Sequence, residues 1–312
     1  MVSAAESFPG FTRTRIHAEG AEIHTLVAGS GPPVLLLHGY PQTHLMWRHV
    51  APRLAEEFTV VATDLRGYGD SSKPASDAAH LVYSKRAMAE DQVQVMKALG
   101  HETFHVVGHD RGARVGHRMA LDFPRVVNRL AVLDIVPTRE LFITTDKAFA
   151  EGYYHWFFLS QPAGFPEHLI GLDPDFFLRE KMKRSAADSY VFEEAVMDEY
   201  LRCFRDPEMI RASCEDYRAA TTIDLEHDEA DRDRKLECPV LALWGAQALM
   251  GRTRDVLSSW REYAKDVRGE ALPCGHYLPE ELPEETLAAM LPFLREEFLD
   301  DARGQGGDFL VK

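Results

Sequence analysis

Short runs of apolar residues recur along this chain, and stretches with helical periodicity separate them. Pro33–Leu37 is the clearest run, since every residue in it is apolar and it stops at His38-Gly39. A parallel strand that is covered on both faces has this composition, because no alternation with polar residues survives. Similar runs lie at Phe58–Ala62, Phe104–Val107, Leu130–Leu133 and Pro239–Leu243, with a weaker one near Val267–Leu272. Strands that alternate with helices predict a doubly wound α/β sheet.

The N-terminal part adds a hairpin to this pattern. Arg13–Ala18 and Ala21–Val27 have the composition of strands, and the turn Glu19-Gly20 joins them. Helix-like stretches follow at 44–56, 83–98, 111–122, 253–264 and 283–298. We therefore expect an eight-stranded, mostly parallel sheet with helices on both faces.

Residues 138–235 interrupt the alternation. They contain no run of the buried-strand type, and aromatic residues cluster in YYHWFF at 153–158, before charged helical segments. We expect a helical cap over 138–235, inserted after the sixth strand into a core formed by 1–137 and 236–299. Such a cap would cover the carboxyl ends of the strands, where open α/β sheets bind ligands. The tail 300–312 contains GQGG and is predicted to be mobile.

Charge and composition argue against several classes of function. The chain has 312 residues, with 35 Lys and Arg against 50 Asp and Glu, so its formal net charge is −15 and nucleic acid is not an expected partner. No apolar run approaches the ~20 residues that a membrane helix needs. The segment MVSAAESFPG lacks both the basic and the apolar part of a secretory signal. The four cysteines include no CxxC pair, which argues against zinc. We expect a cytoplasmic enzyme.

The most informative string is Gly108-His109-Asp110-Arg111-Gly112. It directly follows the predicted strand FHVV and directly precedes a predicted helix. A Gly-x-nucleophile-x-Gly string in this setting is typical of the nucleophile elbow of the α/β-hydrolase fold. The glycines are needed because the strained turn brings neighbouring backbone segments close together. Asp110 is therefore the candidate nucleophile, and the alternative is an Asp that only caps the following helix.

Aspartate instead of serine at this position changes the chemistry. A carboxylate is already ionised at neutral pH and attacks without the help of a base. It can displace a leaving group from saturated carbon, which leaves an ester on the enzyme that activated water must hydrolyse. Asp110 therefore favours cleavage of C–halogen bonds or epoxides over serine-type ester hydrolysis.

A general base, and an acid that orients it, are expected at the ends of other strands. LPCGHYL at 272–278 follows the last predicted strand and places His276 among turn residues. Asp134 ends the sixth predicted strand, whereas WGAQA at 244–248, after the seventh, contains no carboxylate. An unpaired carboxylate in the apolar setting of Asp134 would be costly, so we expect it to orient and stabilise His276. The alternative for Asp134 is a structural cap of the insertion.

Two arginines, Arg111 and Arg114, follow Asp110 on one face of the predicted helix. Cations at a helix N-terminus oppose the helix dipole, so a pair of them beside a nucleophile suggests that they hold a substrate anion. Guanidinium groups match a carboxylate in bidentate geometry. Ion pairs with nearby acids, or with Asp110 itself, are the alternative. The backbone N–H of Tyr40, in HGYP after the third strand, is a candidate oxyanion donor.

Four longer strings extend the pattern: HGYPQTHLMW at 38–47, GHDRGARVGHRMALDFP at 108–124, YYHWFFLSQP at 153–162 and CEDYRA at 214–219. These strings resemble the haloacetate dehalogenases, and the fluoroacetate dehalogenases in particular. The likeness runs from about residue 10 to residue 298, nearly the whole chain. It implies hydrolysis of a small anionic haloacid without metal or organic cofactor, by an enzyme that forms a homodimer.

The resemblance assigns roles to eight residues. It assigns catalysis to Asp110, Asp134 and His276. It assigns carboxylate binding to Arg111 and Arg114, and halide binding to His155, Trp156 and Tyr217. A halide only accepts hydrogen bonds, and the last three side chains can donate them. Donors aimed at charge that develops during displacement lower the barrier selectively. Without the resemblance, Trp156 and Tyr217 would be interpreted as core aromatics.

One departure from the family pattern concerns the leaving group. The resemblance implies a further cap Trp near KMKRS at 181–185, but the four Trp residues of this chain lie at 47, 156, 244 and 260. Pocket shape and closure are therefore expected to differ, which favours chloro- or bromoacetate over fluoroacetate.

Two other functions fit parts of the pattern. An epoxide hydrolase shares the Asp nucleophile, the His base and the cap, and would use two cap tyrosines from among Tyr153, Tyr154 and Tyr217. Arg111 argues against it, since an arginine beside the nucleophile suits an anion better than a neutral epoxide. A non-catalytic binder of small carboxylates would not need a complete catalytic set.

Overall fold

The computed structural model describes residues 7–296, and the tail predicted to be mobile lies outside them. The strands within the described residues are β1 (Thr12–Ala18), β2 (Ala21–Ala28), β3 (Pro33–Leu37), β4 (Thr59–Thr63), β5 (Phe104–His109), β6 (Val127–Leu133), β7 (Val240–Gly245) and β8 (Val267–Leu272). The helices there are α1 (Ala51–Leu54), α2 (Lys85–Ala98), α3 (Arg111–Asp122), α4 (Thr138–Ile143), α5 (Lys147–Gly152), α6 (Tyr154–Leu159), α7 (Phe165–Leu172), α8 (Pro174–Ser185), α9 (Glu194–Phe204), α10 (Pro207–Thr221), α11 (Ile223–Ala230), α12 (Leu249–Thr253), α13 (Val256–Tyr263), α14 (Leu278–Glu281) and α15 (Pro283–Arg295). Two short 3₁₀ turns, His44–Trp47 and Leu81–Tyr83, complete these elements.

The strands form one sheet in the order β1-β2-β4-β3-β5-β6-β7-β8. β2 pairs antiparallel with β1 and with β4, whereas the other neighbouring strands run parallel. The residues of β3, β4 and β5 are nearly all buried, as expected for central strands with helices on both faces. The predicted eight-stranded, mostly parallel sheet with helices on both faces is confirmed.

The segment between β6 and β7 is helical. It contains α4 to α11, and no strand falls in this part of the described chain. Helix α10 packs against α6, α7, α9 and α11, so it is the central element of this segment. The division into a core and a cap at residues 137 and 235 stays a prediction.

Two predicted helices differ from the observed elements. The stretch 44–56 consists of a 3₁₀ turn and the separate four-residue helix α1. Pro52 lies in the first turn of α1, where a proline is tolerated. The stretch 253–264 is divided between α12 and α13, because the Asp255 side chain accepts a hydrogen bond from the Ser258 N–H and so starts a new helix. Periodicity alone does not reveal such a break.

The parallel strands all point their carboxyl ends to one edge of the sheet, which is where open α/β sheets bind ligands. The turns after β3, β5 and β6 and the loop after β8 meet there, carrying Tyr40, Asp110, Asp134 and His276. Among residues 7–296, no helix combines the length and the apolar content that crossing a bilayer requires.

Candidate active site

Asp110 sits in the sharp turn between β5 and α3. Its backbone has a φ of +47°, a conformation that is strained for a residue with a side chain. The two flanking glycines allow this turn. A Cβ on Gly108 would lie 2.6 Å from the Ala113 backbone, and one on Gly112 would lie 2.4 Å from the carbonyl oxygen of His38. The predicted strand–elbow–helix geometry is therefore present at Asp110.

The Asp110 carboxylate is buried and contacts two of the predicted site residues. Its Oδ1 accepts a hydrogen bond from the Tyr40 backbone N–H at 3.0 Å, and its Oδ2 lies 3.8 Å from His276 Nε2. Burial alone would raise the pKa of Asp110, but His276 and the nearby arginines outweigh this and hold the pKa well below its usual range. The carboxylate is therefore ionised at neutral pH, as a nucleophile must be.

His276 is joined to Asp134 across the strand ends. The His276 Nδ1 and the Asp134 Oδ2 are 2.5 Å apart, and the Asp134 Oδ1 accepts a second hydrogen bond from the Gly245 N–H at 3.0 Å. Burial raises the pKa of Asp134, and the His276 contact opposes that shift. Nδ1 of His276 thus faces Asp134 while Nε2 faces Asp110, the arrangement in which a histidine takes a proton from a bound water.

Arg111 is fully buried, and Asp216 on α10 fixes its orientation. Arg111 Nε donates to Asp216 Oδ2 at 2.9 Å, while Nη2 donates to the Asp216 backbone carbonyl at 2.8 Å and to Oδ1. The guanidinium carbon lies 4.3 Å from the centre of the Tyr217 ring. The alternative considered for Arg111, an ion pair with an acid, is therefore present. Its Nη1 nevertheless has no hydrogen-bond partner among the described residues.

Arg114 is buried and has no ion pair within 4 Å in the described part of the chain. Its Nη1 donates to the Val136 carbonyl and to Thr138 Oγ1, each at 3.0 Å, whereas Nε and Nη2 have no partner there. Burial lowers the pKa of Arg114 to about 10, so it remains a cation at neutral pH. Trp156 lies against its guanidinium, 4.6 Å from ring centre to carbon.

The three predicted halide-site side chains lie together, and all are buried. The Tyr217 ring contacts both His155 and Trp156, with centroid distances of 5.7 Å in each case. Trp156 Nε1, Tyr217 Oη and His155 Nδ1 have no hydrogen-bond partner among the described residues. Buried donors of this kind are costly unless a ligand or water satisfies them. The group therefore provides donors for a small acceptor.

Three residues around this site were not predicted from the sequence. Asp216 holds Arg111 in place, and it directly precedes the predicted halide-site residue Tyr217. His109 Nε2 contacts the His276 backbone carbonyl at 2.8 Å; because burial lowers the pKa of His109 to about 3, it is a neutral donor. Lys181 is a buried cation on α8. Its burial leaves no local signal, because it depends on how the helices between β6 and β7 pack.

One group of described side chains has the spacing of metal ligands. The candidate ligand atoms of His24, His44 and Asp64 lie within 4.8 Å of one another. Asp64 already accepts hydrogen bonds from His24 Nδ1, from His44 Nδ1 and N, and from the Asp70 N–H. Both carboxylate oxygens are thereby satisfied, which indicates that the group stabilises the loop after β4.

Known hydrolases are similar to this chain over most of its length. A family model of the alpha/beta hydrolase fold matches residues 32–283. A fluoroacetate dehalogenase from Burkholderia sp is 46% identical over 299 residues, which cover 95% of this chain and 96% of that protein. This chain belongs to the haloacetate dehalogenase family of α/β-hydrolases. The predicted fold and family are confirmed, and the protein is a hydrolase.

Other relatives of this hydrolase have different names. A soluble epoxide hydrolase from Corynebacterium sp. (strain C12) is 37% identical over 282 residues, which cover 88% of this chain and 94% of that protein. A crystal structure of a candidate alpha/beta hydrolase from Nostoc sp PCC 7120 has 58% identity and a TM-score of 0.90, covering 91% of this chain and 98% of that one. Relatives named as a dehalogenase and as an epoxide hydrolase thus both match nearly the whole chain, so similarity alone does not identify the substrate.

Proposed function

We propose that this hydrolase is a dehalogenase of haloacetate and small 2-haloacids. It converts haloacetates into the 2-hydroxy acid and halide, with chloro- and bromoacetate favoured over fluoroacetate. For haloacetate the product is glycolate. The reaction passes through an ester between the substrate carbon and Asp110, and no metal or organic cofactor takes part.

In the first step, Arg111 Nη1 and Arg114 Nη2 bind the substrate carboxylate. Asp110 Oδ2, the oxygen not bound by the Tyr40 N–H, attacks the α-carbon from the side opposite the halogen. A C–O bond forms while the C–X electron pair leaves with the halide. Trp156 and Tyr217 donate hydrogen bonds to the halide as its charge develops.

In the second step, His276 Nε2 takes a proton from water, and the resulting hydroxide attacks Cγ of Asp110. The ester carbonyl is then Oδ1, which already accepts the Tyr40 N–H at 3.0 Å, so its developing charge meets a donor in place. Asp134 stabilises the protonated His276. Collapse of the tetrahedral intermediate breaks the bond between Cγ and the oxygen attached to the substrate carbon, and that oxygen receives the proton from His276. Asp110 is left as a carboxylic acid, which loses its proton to solvent and returns to the carboxylate.

The observation that carries this proposal is the set of buried donors without partners around an ionised Asp110. Arg114 Nη2, Trp156 Nε1 and Tyr217 Oη each lack a hydrogen-bond partner among the described residues. Leaving a buried donor unsatisfied costs about 1–3 kcal/mol. A haloacid carries a carboxylate for the cationic donors and a halogen for the neutral donors, whereas a neutral epoxide leaves Arg114 without a counter-charge.

Halide release, combined with isotope labelling, tests the proposal. We expect purified protein to release chloride from chloroacetate, and an Asp110→Asn variant to release none at the first turnover. In ¹⁸O-labelled water under single-turnover conditions, the label should enter the Asp110 carboxylate, because water attacks Cγ, and the first glycolate should carry unlabelled oxygen. Label in the first glycolate instead would mean direct attack by water and would refute the ester intermediate.

Epoxide hydrolysis is the second candidate, and the unpartnered Tyr217 Oη favours it because a phenol can protonate an epoxide oxygen. Tyr153 is also buried, whereas Tyr154 is partly exposed. The relative named as a soluble epoxide hydrolase points the same way. Turnover of styrene oxide that exceeds turnover of chloroacetate would establish this function and displace the first.

Two further expectations stay predictions. The family resemblance implies a homodimer, which the mass of the purified protein in solution would test. A cytoplasmic location also stays a prediction, which cell fractionation would test.

A further inference from the structure

Lys85 is a buried cation that plays no part in the two steps of the proposed reaction. It is the first residue of α2, which follows β4, and it retains an exposure of 3%. Its ammonium forms an ion pair with Asp216 on α10 and lies 3.5 Å from Asp224 Oδ2 on α11. Lys85 therefore joins the part of the chain before the nucleophile elbow to the helices between β6 and β7.

Lys85 and Arg111 share the carboxylate of Asp216. Oδ1 accepts hydrogen bonds from Lys85 Nζ and from Arg111 Nη2. Oδ2 accepts hydrogen bonds from Arg111 Nε at 2.9 Å and from the Tyr68 hydroxyl at 2.7 Å. Two cations and one carboxylate leave one positive charge on this buried group, whereas Arg111 and Asp216 without Lys85 would form a neutral pair.

Asp224 does not cancel this positive charge completely, because part of its own charge is compensated elsewhere. Its Oδ1 accepts a hydrogen bond from the Lys85 backbone N–H at 2.8 Å, in the first turn of α2. A carboxylate in that position interacts favourably with the helix dipole. The ammonium of Lys85 is in direct contact with Asp216 and further from Asp224, so its charge acts mainly on Asp216.

The positive charge left on this group lies where the substrate carboxylate is expected. Arg111 Nη1 has no hydrogen-bond partner among the described residues, so it is the atom that remains for a ligand. Charge interactions are stronger in a buried site than in water. Because the whole chain has a formal charge of −15, an anion is attracted only where positive charge is retained locally.

We propose that Lys85 is a positioning residue that shares Asp216 with Arg111 and so keeps Arg111 available as a cation for the substrate carboxylate. This inference rests on the proposed dehalogenase function. Lys85 acts through Asp216 and not on the reacting atoms, so its charge supports the affinity for the anion and leaves the displacement step nearly unchanged.

The test compares Lys85→Met with the matched control Lys73→Met. Lys73 also lies near an acid of α10, 3.8 Å from the N-cap Asp206, but it donates to the Gly69 and Ser71 carbonyls and has no contact with Asp216. Lys85→Met should raise KM for chloroacetate by roughly tenfold and change kcat by less than about threefold, because binding that is equal in the ground and transition states is lost. Lys73→Met should match wild type.

Two further variants separate the charge of Lys85 from its contribution to packing. Lys85→Arg keeps the charge and should restore KM to within about threefold of wild type. Asp224→Asn removes a negative charge but keeps an acceptor for the Lys85 backbone N–H, so it should lower KM by roughly threefold. Damage to packing would raise KM in both variants. Asp224→Asn also decides the question if Lys85→Met does not fold.

Binding of the product gives a readout without turnover. Titration calorimetry with sodium glycolate should show about tenfold weaker binding to Lys85→Met than to wild type or Lys73→Met. Equal glycolate affinity of wild type and Lys85→Met, a loss confined to kcat, or a rise in KM for Asp224→Asn would overturn the proposal for Lys85. If wild type released no halide from any haloacetate, the dehalogenase proposal would fail, and the calorimetry would still decide whether Lys85 supports anion binding.

Discussion

Asp216 accepts three hydrogen bonds from Arg111, two at its carboxylate and one at its backbone carbonyl. The same carboxylate also binds Lys85 Nζ and the hydroxyl of Tyr68. Burial would raise the pKa of Asp216, but Arg111 and Lys85 lower it to about 2. A residue on a helix beyond β6 thereby determines where a guanidinium of the elbow helix points.

Replacing Asp216 by Asn should weaken carboxylate binding. The side chain keeps its shape but loses its charge, so Arg111 is no longer fixed by a two-oxygen contact. We expect KM for chloroacetate to rise at least about tenfold with a smaller change in kcat, and the free energy of unfolding to fall by about 3 kcal/mol. Steady-state kinetics and urea unfolding measure both effects. A loss confined to kcat would show that Asp216 does not position the carboxylate clamp.

Replacing Asp134 by Asn should stop the reaction at the ester. His276 then loses the carboxylate that stabilises its protonated form, so hydrolysis slows by about 10²- to 10⁴-fold, while attack by Asp110 needs no base. We expect one equivalent of halide per site, followed by little turnover. Intact-protein mass spectrometry should detect the carboxymethyl group on the enzyme as an ester of Asp110. Absence of both the burst and the adduct would contradict the assigned role of Asp134.

Replacing Trp156 by Phe should act on the leaving group. The ring volume is largely kept, but the unpartnered Nε1 donor is removed. Chloride release should slow by roughly 10- to 100-fold, with less effect for bromide. Trp260→Phe is the control, since Trp260 is equally buried but donates to the Ile135 carbonyl at 2.9 Å. That variant should lose about 1 kcal/mol of stability and keep the leaving-group ratio.

His117 should make stability sensitive to acid. It is buried on α3 against Trp260, and burial together with neighbouring arginines lowers its pKa from 6.5 to about 3. Between pH 6.5 and 3, His117 is therefore protonated in the unfolded chain but neutral in the folded protein. Its contribution to the free energy of unfolding is fully present above pH 6.5 and is lost as the pH falls from 6.5 to 3.

The His117 contribution is about 1.4 kcal/mol for each pH unit in that window. We expect urea unfolding of His117→Gln to depend less steeply on pH between 5 and 6.5, by about this amount. His168→Gln, which alters an exposed histidine, should keep the wild-type slope. Equal slopes in all three proteins would refute the account.

Apolar runs predicted six of the eight strands, and the hairpin pattern around Glu19-Gly20 predicted β1 and β2. The runs are clearest for β3, β4 and β5, because strands buried on both faces consist of consecutive apolar residues. Pro33–Leu37 and Val267–Leu272 were predicted with their observed bounds. The helix breaks near Pro52 and Asp255 were missed, since a proline in a first turn and a capping side chain are single-residue effects that periodicity does not register.

The site residues likewise fall into those that local sequence predicts and those that depend on tertiary packing. Asp110 lies in a local strand–turn–helix motif, and Asp134 and His276 follow strand ends that a parallel sheet brings to one edge, so the sequence by itself determined these candidates. Tertiary packing alone decided that Asp216 fixes Arg111 and that Lys181 is buried. Burial and charge pairing between distant segments depend on how the helices beyond β6 pack against the core, and no short stretch of sequence contains that information.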